Sequence, residues 1–230
     1  MKVVLAGGTG GLGTAAARLL ARDGFDLVMS YRSNVPRATQ LSDLGQVMQA
    51  DLADPAQRKQ LLDATPGLYG LAVFAGNPAR VAAFDEACRL SFEANFLGPV
   101  TLAREASERM KAAGTAGAIV LISTMQAVSV FSGSTPYASQ KAALVHAGLI
   151  LAKECRGPSG IRVNIVCPGV NQAGMAEASI AAGKYAKYLN EGVIPRYGRA
   201  EDVARAVRFF LEPDNYVTGQ VLTVDGGLTL

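Results

Sequence analysis

The chain has 230 residues, 50% of them apolar and 18% charged, with 25 glycines and no tryptophan. That excludes disordered, collagen-like and coiled-coil classes and suits one globular domain spanning residues 1–230 with a substantial core. The net charge is +3 with no basic block, which argues against nucleic acid as the main partner.

In chain order, short apolar runs alternate with stretches of helical period. The runs predicted as strands are Val3 to Ala6, Leu27 to Tyr31, Gln46 to Ala50, Leu71 to Ala75, Ala118 to Ser123, Arg162 to Cys167 and Val221 to Val224. Seven such runs with helices between them predict an α/β domain, a doubly wound parallel sheet covered on both faces. Leu12, Ala16, Leu19 and Leu20 make one helical apolar face ending at Gly24. Val203, Ala206, Val207, Phe210 and Leu211 make another, with Glu201 and Asp202 in its first turn and Pro213 past its end. Residues 112–140 carry no charge, but glycines, serines and Pro136 interrupt them, so they read as a buried strand and its loop and not as a membrane span. Residues 170–196 have no clear element partner and read as a lid over the carboxyl edge of the sheet. Cys88, Cys155 and Cys167 have neither disulfide-framework nor metal-ligand spacing, so no metal is expected. Their sparseness and the absence of an export-signal core predict a cytoplasmic setting.

After the first strand comes Gly7-Gly8-Thr9-Gly10-Gly11-Leu12-Gly13, opening a helix. Gly7 permits the tight turn, Gly11 lets backbone approach a pyrophosphate, and Gly13 allows close helix packing, while the helix N-terminus offers free N–H groups. This is a nucleotide-binding arrangement of Rossmann type. A P-loop is excluded because no Gly-Lys-Ser/Thr follows; a methyltransferase loop remains a rival at this point. Both methyltransferases and NAD-binding folds want an acid at the end of the second strand, yet that strand ends Met29-Ser30-Tyr31-Arg32-Ser33. A guanidinium with neighbouring hydroxyls suits a 2′-phosphate, which favours NADP(H), with NAD(H) as the alternative. Asp51, followed by Leu52, reads either as an adenine contact or as an acid near the helix start at Pro55.

Tyr137-Ala138-Ser139-Gln140-Lys141 places a phenol and an ammonium on one helical face. A tyrosine titrating near ~10 must be lowered by roughly 2 to 3 units to work near neutrality, and Lys141 with a charged nicotinamide ring is expected to do so. The only histidine, His146, lies off that face and reads as a core or interface residue.

With these residues in place, the chain resembles the classical short-chain dehydrogenase/reductase family over essentially its whole length, with the flavour of β-ketoacyl carrier-protein reductases and other ketoreductases. The family's glycine motif is met by Ala6 to Gly13, its Tyr-x-x-x-Lys by Tyr137 and Lys141, its asparagine by Asn95 and its later Pro-Gly by Pro168-Gly169. Ile194 to Arg199 and Thr218 to Gly227 look like its closing helix and strand. The resemblance implies four catalytic residues: Asn95 in a water relay, Thr124, Tyr137 and Lys141. It places the cofactor's phosphates and ribose against Gly7, Thr9, Gly11, Leu12, Gly13, Arg32 and Ser33. The remaining cofactor contacts are Asp51, Leu52, Ala75, Gly76, Tyr137, Lys141, Pro168, Gly169 and Val170. The activity implied is hydride transfer between NADP(H) and a small carbonyl or alcohol substrate, with a homotetramer built on helices 92–110 and 137–155 as the implied assembly. A nucleotide sensor without turnover is the rival of a different class.

Four departures stand out. Thr124 occupies the family's serine position; Ser123 is next door, but strand alternation points it to the other face. Asn-Asn-Ala-Gly has become Val73-Phe74-Ala75-Gly76, with Asn77 as a partial substitute. Ala173 replaces a threonine expected at the nicotinamide carboxamide, and Gly10 lacks the basic residue of many NADP(H)-preferring members.

Overall fold

The computed structural model describes residues 1–230. Seven parallel strands form one sheet: β1 (Lys2–Ala6), β2 (Asp26–Tyr31), β3 (Gly45–Gln49), β4 (Leu68–Val73), β5 (Ala118–Ile122), β6 (Arg162–Pro168) and β7 (Val221–Val224). Their spatial order is β3-β2-β1-β4-β5-β6-β7, so the chain starts mid-sheet, winds outward to β3, and returns to the other side of β1. The strand order reverses between β1 and β4, and a crevice opens there at the carboxyl ends.

The helices are α1 (Gly11–Arg22), α2 (Val35–Thr39), α3 (Pro55–Asp63), α4 (Phe84–Phe92), α5 (Gly98–Ala112), α6 (Thr135–Cys155), α7 (Glu177–Ala181), α8 (Ala186–Asn190) and α9 (Ala200–Leu211). Successive strand residues point to opposite faces, and the two cores follow that alternation. Val4, Ala6, Ile119 and Leu121 pack with Leu61 of α3, Leu102 and Met110 of α5 and Leu144 of α6. Val3, Leu5, Val120 and Ile122 pack with Leu20 of α1 and Val207 and Phe210 of α9. On that second face, buried Arg162 closes the carboxyl end of α9. Its Nη1 donates to Phe210 O at 2.7 Å and its Nη2 to Glu212 O at 2.7 Å, while Tyr69 Oη donates to Leu211 O at 2.9 Å. A cation and a phenol thus satisfy terminal carbonyls that no further helical turn reaches.

The predicted strands all form, β7 with the predicted ends and the others shifted by a few residues. The largest shift is in β4, expected at Leu71 to Ala75 and found at Leu68–Val73. Every residue of β4 is buried, so no alternation marks its limits, and Gly67 at φ 74° makes the turn that starts it. Ala75 and Gly76 therefore lie in the following loop. The helix expected from Phe92 to Met110 is interrupted by a π-helical turn at Glu93–Leu97 between α4 and α5. His146 is exposed on α6, which excludes a core role in the single chain. No helix is long and apolar enough to cross a membrane.

Candidate active site

A cleft of about 1160 Å³ runs along the carboxyl ends of β1, β2, β4, β5 and β6, from the loop after β2 to the segment after β6. Its floor is the glycine loop. Gly7 sits at φ 74°, and a Cβ there would lie 2.8 Å from Ala75 N, so the β1 and β4 loops touch only because this residue has no side chain. Ser30 Oγ accepts from Gly7 N at 3.0 Å and ties the loop to the end of β2. At Gly13 a Cβ would meet Gly8 backbone at 2.7 Å, in accord with the packing role expected from sequence. At Gly11 the space is taken by the lid: a Cβ would lie 2.5 Å from Gly174 N. Helix α1 then begins with no side-chain cap and no acid in its first turn. Its first N–H groups face the cleft beside buried Thr9 and Leu12.

At the β2 end, Arg32 and Ser33 line the cleft together with Asn34 and Arg37, and no carboxylate pairs with either guanidinium. Asn34 caps α2, accepting from Arg37 N at 3.1 Å, which brings Arg37 round beside Arg32. Sequence reasoning missed Arg37; the Asn-x-Pro helix start at Asn34, two residues after Arg32, was the available signal. Asp51 does not cap α3. That is done by Asp54, whose Oδ1 accepts from Ala56 N at 2.8 Å, while Asp51 Oδ1 accepts from Ala53 N at 3.0 Å. Leu52 is buried, with its carbonyl taken by Arg58 Nη1 at 2.7 Å.

Near the centre, α6 carries Tyr137 and Lys141 one turn apart on the face toward β5. Thr124, just past β5, is extended, and its hydroxyl lies close enough to the Tyr137 phenol to pull its titration down in part. Ser123 also lines the cleft, but its hydroxyl is engaged by the main chain of α6, donating to Lys141 O at 2.9 Å, so it is directed at α6 and not to the opposite face expected from alternation. Lys141 is buried, and its Nζ donates to Ile122 O at 2.9 Å. Burial pushes Lys141 down to about 8 and pushes the Tyr137 phenol up to about 12, the latter offset in part by Thr124. In the chain's own field desolvation dominates, and the Lys141 ammonium donates to a carbonyl; the lowering expected from sequence also draws on a charged nicotinamide ring. Cys167 lies on the same wall, its thiol pushed up to about 11 by burial, which leaves it unreactive at neutral pH.

Asn95 sits fully buried in the π turn. Its Nδ2 donates to Asn77 O at 2.7 Å and to Ser91 Oγ at 2.9 Å, and its Oδ1 accepts from Asn77 N at 2.8 Å. Asn77 was expected to brace the sheet through its amide. Instead its main chain is clamped by Asn95 and its side chain accepts from Ala79 N at 2.8 Å. A Cβ on Gly76 would come 2.9 Å from Asn95 Oδ1 and 3.4 Å from Lys141 Nζ, so the two groups flank this glycine.

The remaining wall is the segment after β6. Pro168 and Gly169 line the cleft, but the missing side chain of Gly169 serves β7, since a Cβ would lie 2.6 Å from Asp225 Cβ. Val170 is buried with Met125, Ile194, Tyr197 and Leu228, and Phe131, Tyr185 and Tyr188 pack against that cluster. The lid expected at 170–196 consists of a 3-10 turn at Gly174–Ala176 followed by α7 and α8. Ala173 also lines the cleft, so the position left by the missing threonine is apolar.

A glycine-loop crevice, a tyrosine one helical turn from a buried lysine and a hydroxyl just past the end of β5 are therefore assembled in one place. The family model described as Enoyl-(Acyl carrier protein) reductase matches residues 6–229. The chain belongs to the short-chain dehydrogenase/reductase family. A 3-oxoacyl-[acyl-carrier-protein] reductase of Bos taurus is 32% identical over 240 residues, covering 97% of this chain and 96% of the relative. Among solved structures, a short-chain type dehydrogenase/reductase from Mycobacterium ulcerans superposes with a TM-score of 0.89 at 26% identity, covering 99% of this chain and 89% of that one. A variant of actinorhodin polyketide ketoreductase with NADPH gives 0.83 at 26% identity, covering 99% and 97%. This short-chain dehydrogenase/reductase is accordingly an oxidoreductase, on the seven-stranded doubly wound sheet its sequence predicts.

Proposed function

We propose that this enzyme moves a hydride between NADP(H) and a small carbonyl or secondary alcohol compound, with Tyr137 as the proton carrier. One observation carries the reading: the Thr124–Tyr137 hydroxyl pair lies in the same cleft as two guanidiniums without carboxylate partners. The donor set fits the cofactor. The uncapped start of α1 suits a pyrophosphate, Arg32 and Arg37 with Ser33 suit a 2′-phosphate, and Asp51 retains an oxygen for an adenine amino group.

When bound, the nicotinamide supplies or accepts the hydride. The chain's own residues handle the carbonyl oxygen and its proton. Thr124 Oγ1 donates to that oxygen and fixes its position, and Tyr137 Oη delivers a proton as negative charge develops there. A phenol at about 12 is fully protonated at neutral pH, the form that reduction requires. For alcohol oxidation the phenolate must form, and a positive charge beside it lowers the cost. Lys141 supports the pair from below, held by Ile122 O, and Asn95 fixes the adjoining loop by clamping the main chain of Asn77, the part it would play in a water relay.

A screen of ketones, β-ketoesters, quinones and acyl thioesters for NADPH oxidation, run in parallel with NADH, tests the reading. Turnover with NADPH favoured supports it; tight NADPH binding without turnover across the panel would instead indicate a nucleotide sensor. The assembly proposed is a cytoplasmic homotetramer through α4, α5 and α6, on which Phe92, Leu97 and Ile150 are each at least 39% exposed in the single chain. A monomeric mass by light scattering at micromolar concentration would overturn it.

A further inference from the structure

The cleft has a second pair of unbalanced cations, Arg80 and Lys184. Arg80 reaches it from the loop after β4, and Lys184 from the lid between α7 and α8. Arg80 Nη2 donates to Met175 O and to Ser179 Oγ, both at 3.2 Å. Both acceptors are neutral, and neither Nη1 nor Nε meets a protein acceptor. Lys184 N donates to Ser179 O at 3.0 Å, so the two side chains rise from either side of the same serine. No carboxylate pairs with either, although Glu177 is near: its Oε1 is taken by Gly174 N at 2.5 Å. Lys184 Nζ stands 5.6 Å from the centroid of the Tyr185 ring, and Tyr185 lies close enough to Tyr137 to act on its titration.

The loop that carries Arg80 is shaped to hold it there. Ala79 has φ 52°, the only positive value outside glycine in the chain. The turn is fastened on one side by Asn77 Oδ1 to Ala79 N and, through the main chain of Asn77, by Asn95. A left-handed alanine is unfavourable, and here it turns Arg80 across the cleft to the lid, where its charge is left unneutralised. Both cations are exposed at the mouth of the cleft beside Met175 and Tyr185, open to an incoming anion that no protein carboxylate displaces.

We infer that the enzyme selects carbonyl compounds bearing an anionic group, a carboxylate or a phosphate, a short spacer away from the carbonyl, and that Arg80 and Lys184 receive it. The inference rests on the carbonyl-reductase reading above. Arg80 offers a fork for two acceptor oxygens, and Lys184 adds a point charge separated from the reacting phenol by one aromatic ring.

The test compares matched pairs: acetoacetate with methyl acetoacetate, and hydroxyacetone phosphate with hydroxyacetone. Each is followed by NADPH oxidation and, in parallel, by calorimetric titration into the protein with NADP⁺. The expected result is an anion preference of about tenfold or more in kcat/KM, expressed mainly in KM, which shrinks as salt is raised. Arg80→Gln and Lys184→Gln each bring the ratio toward unity, whereas Lys187→Gln, outside the cleft, leaves it in place. Which pair shows the larger ratio assigns the group as carboxylate or phosphate. Equal turnover of charged and neutral members, unaltered in the variants, overturns the anion site and leaves the reductase reading standing. Anion binding that both variants weaken, without turnover of any compound, keeps the site and overturns the reductase reading. Neither binding nor turnover overturns both.

Discussion

On the sheet side of the cleft, Lys141 and Asn95 are buried and each is tied to main-chain carbonyls, and Thr124 is held at the end of a wholly buried strand. On the lid side, α7 and α8 contain no buried residue, and Met175 is 42% exposed. One wall inherits its precision from the core; the other rests on a five-residue cluster around Val170 and on a few hydrogen bonds across the opening. Chemistry that tolerates little displacement belongs to the first wall, and choice of substrate to the second.

The comparison breaks most directly at the phenol. Tyr137→Phe is expected to lower kcat by about a thousandfold or more while cofactor binding persists, because the carbonyl loses its proton source. Thr124→Val keeps the shape and removes a donor, and should raise the barrier by about 2 to 4 kcal/mol, with Thr124→Ser within about tenfold of the parent. Single-turnover rates on folded, NADPH-binding protein decide both. A crippled Ser123→Ala beside a healthy Thr124→Val would exchange the roles assigned to these neighbours.

The next largest effect reads the buried lysine through stability. Lys141 is held at about 8, below its ordinary value of 10.5. The unfolded chain therefore binds the extra proton between these limits, and stability from this group rises with pH across that window, having been fully penalised below it. Denaturation midpoints of the parent and Lys141→Met should converge or cross between pH 7 and pH 10.5 by roughly 3 kcal/mol in the parent's favour, whatever constant cost the orphaned Ile122 carbonyl adds. A pH-independent difference would mean that the ammonium is solvated.

Smaller effects sharpen the contrast between the two ends of the cleft. Arg32→Ala should weaken NADPH by about 1 to 3 kcal/mol and leave NADH nearly unchanged, by titration of each cofactor; equal losses would remove the 2′-phosphate assignment. Ala79→Gly should change thermal stability by less than about 1 kcal/mol, because relief of the left-handed strain is offset by unfolded-state entropy. A loss well beyond that would show Ala79's side chain, not its backbone, holding the turn.

The sequence foretold the parts of this site that depend on local spacing. Tyr137 and Lys141 share a face because they are one helical turn apart, and the glycine loop announces a strand-to-helix junction. The parts it concealed arise from tertiary context. Nothing in Glu93 to Leu97 announces a π turn, since its residues suit an α-helix, and the turn is fixed by what Asn95 bonds across to. Nothing in the sequence marks Arg80, because the left-handed alanine before it has no signature. The phenol's rise to about 12 was invisible because burial, not the neighbouring lysine, sets it.

The π turn also makes α4 and α5 one helix of residues 84–112 carrying a surplus residue. Such a bulge amounts to a single insertion, so excising Ala94 would restore an unbroken α-helical path and leave both flanks to keep their packing faces. Asn95 alone would lose its position, and with it the clamp on Asn77 and the turn that presents Arg80. The proposed water relay and the proposed anion receiver thus hang on one count of residues in a helix. A change in length there would disconnect them together without touching the core.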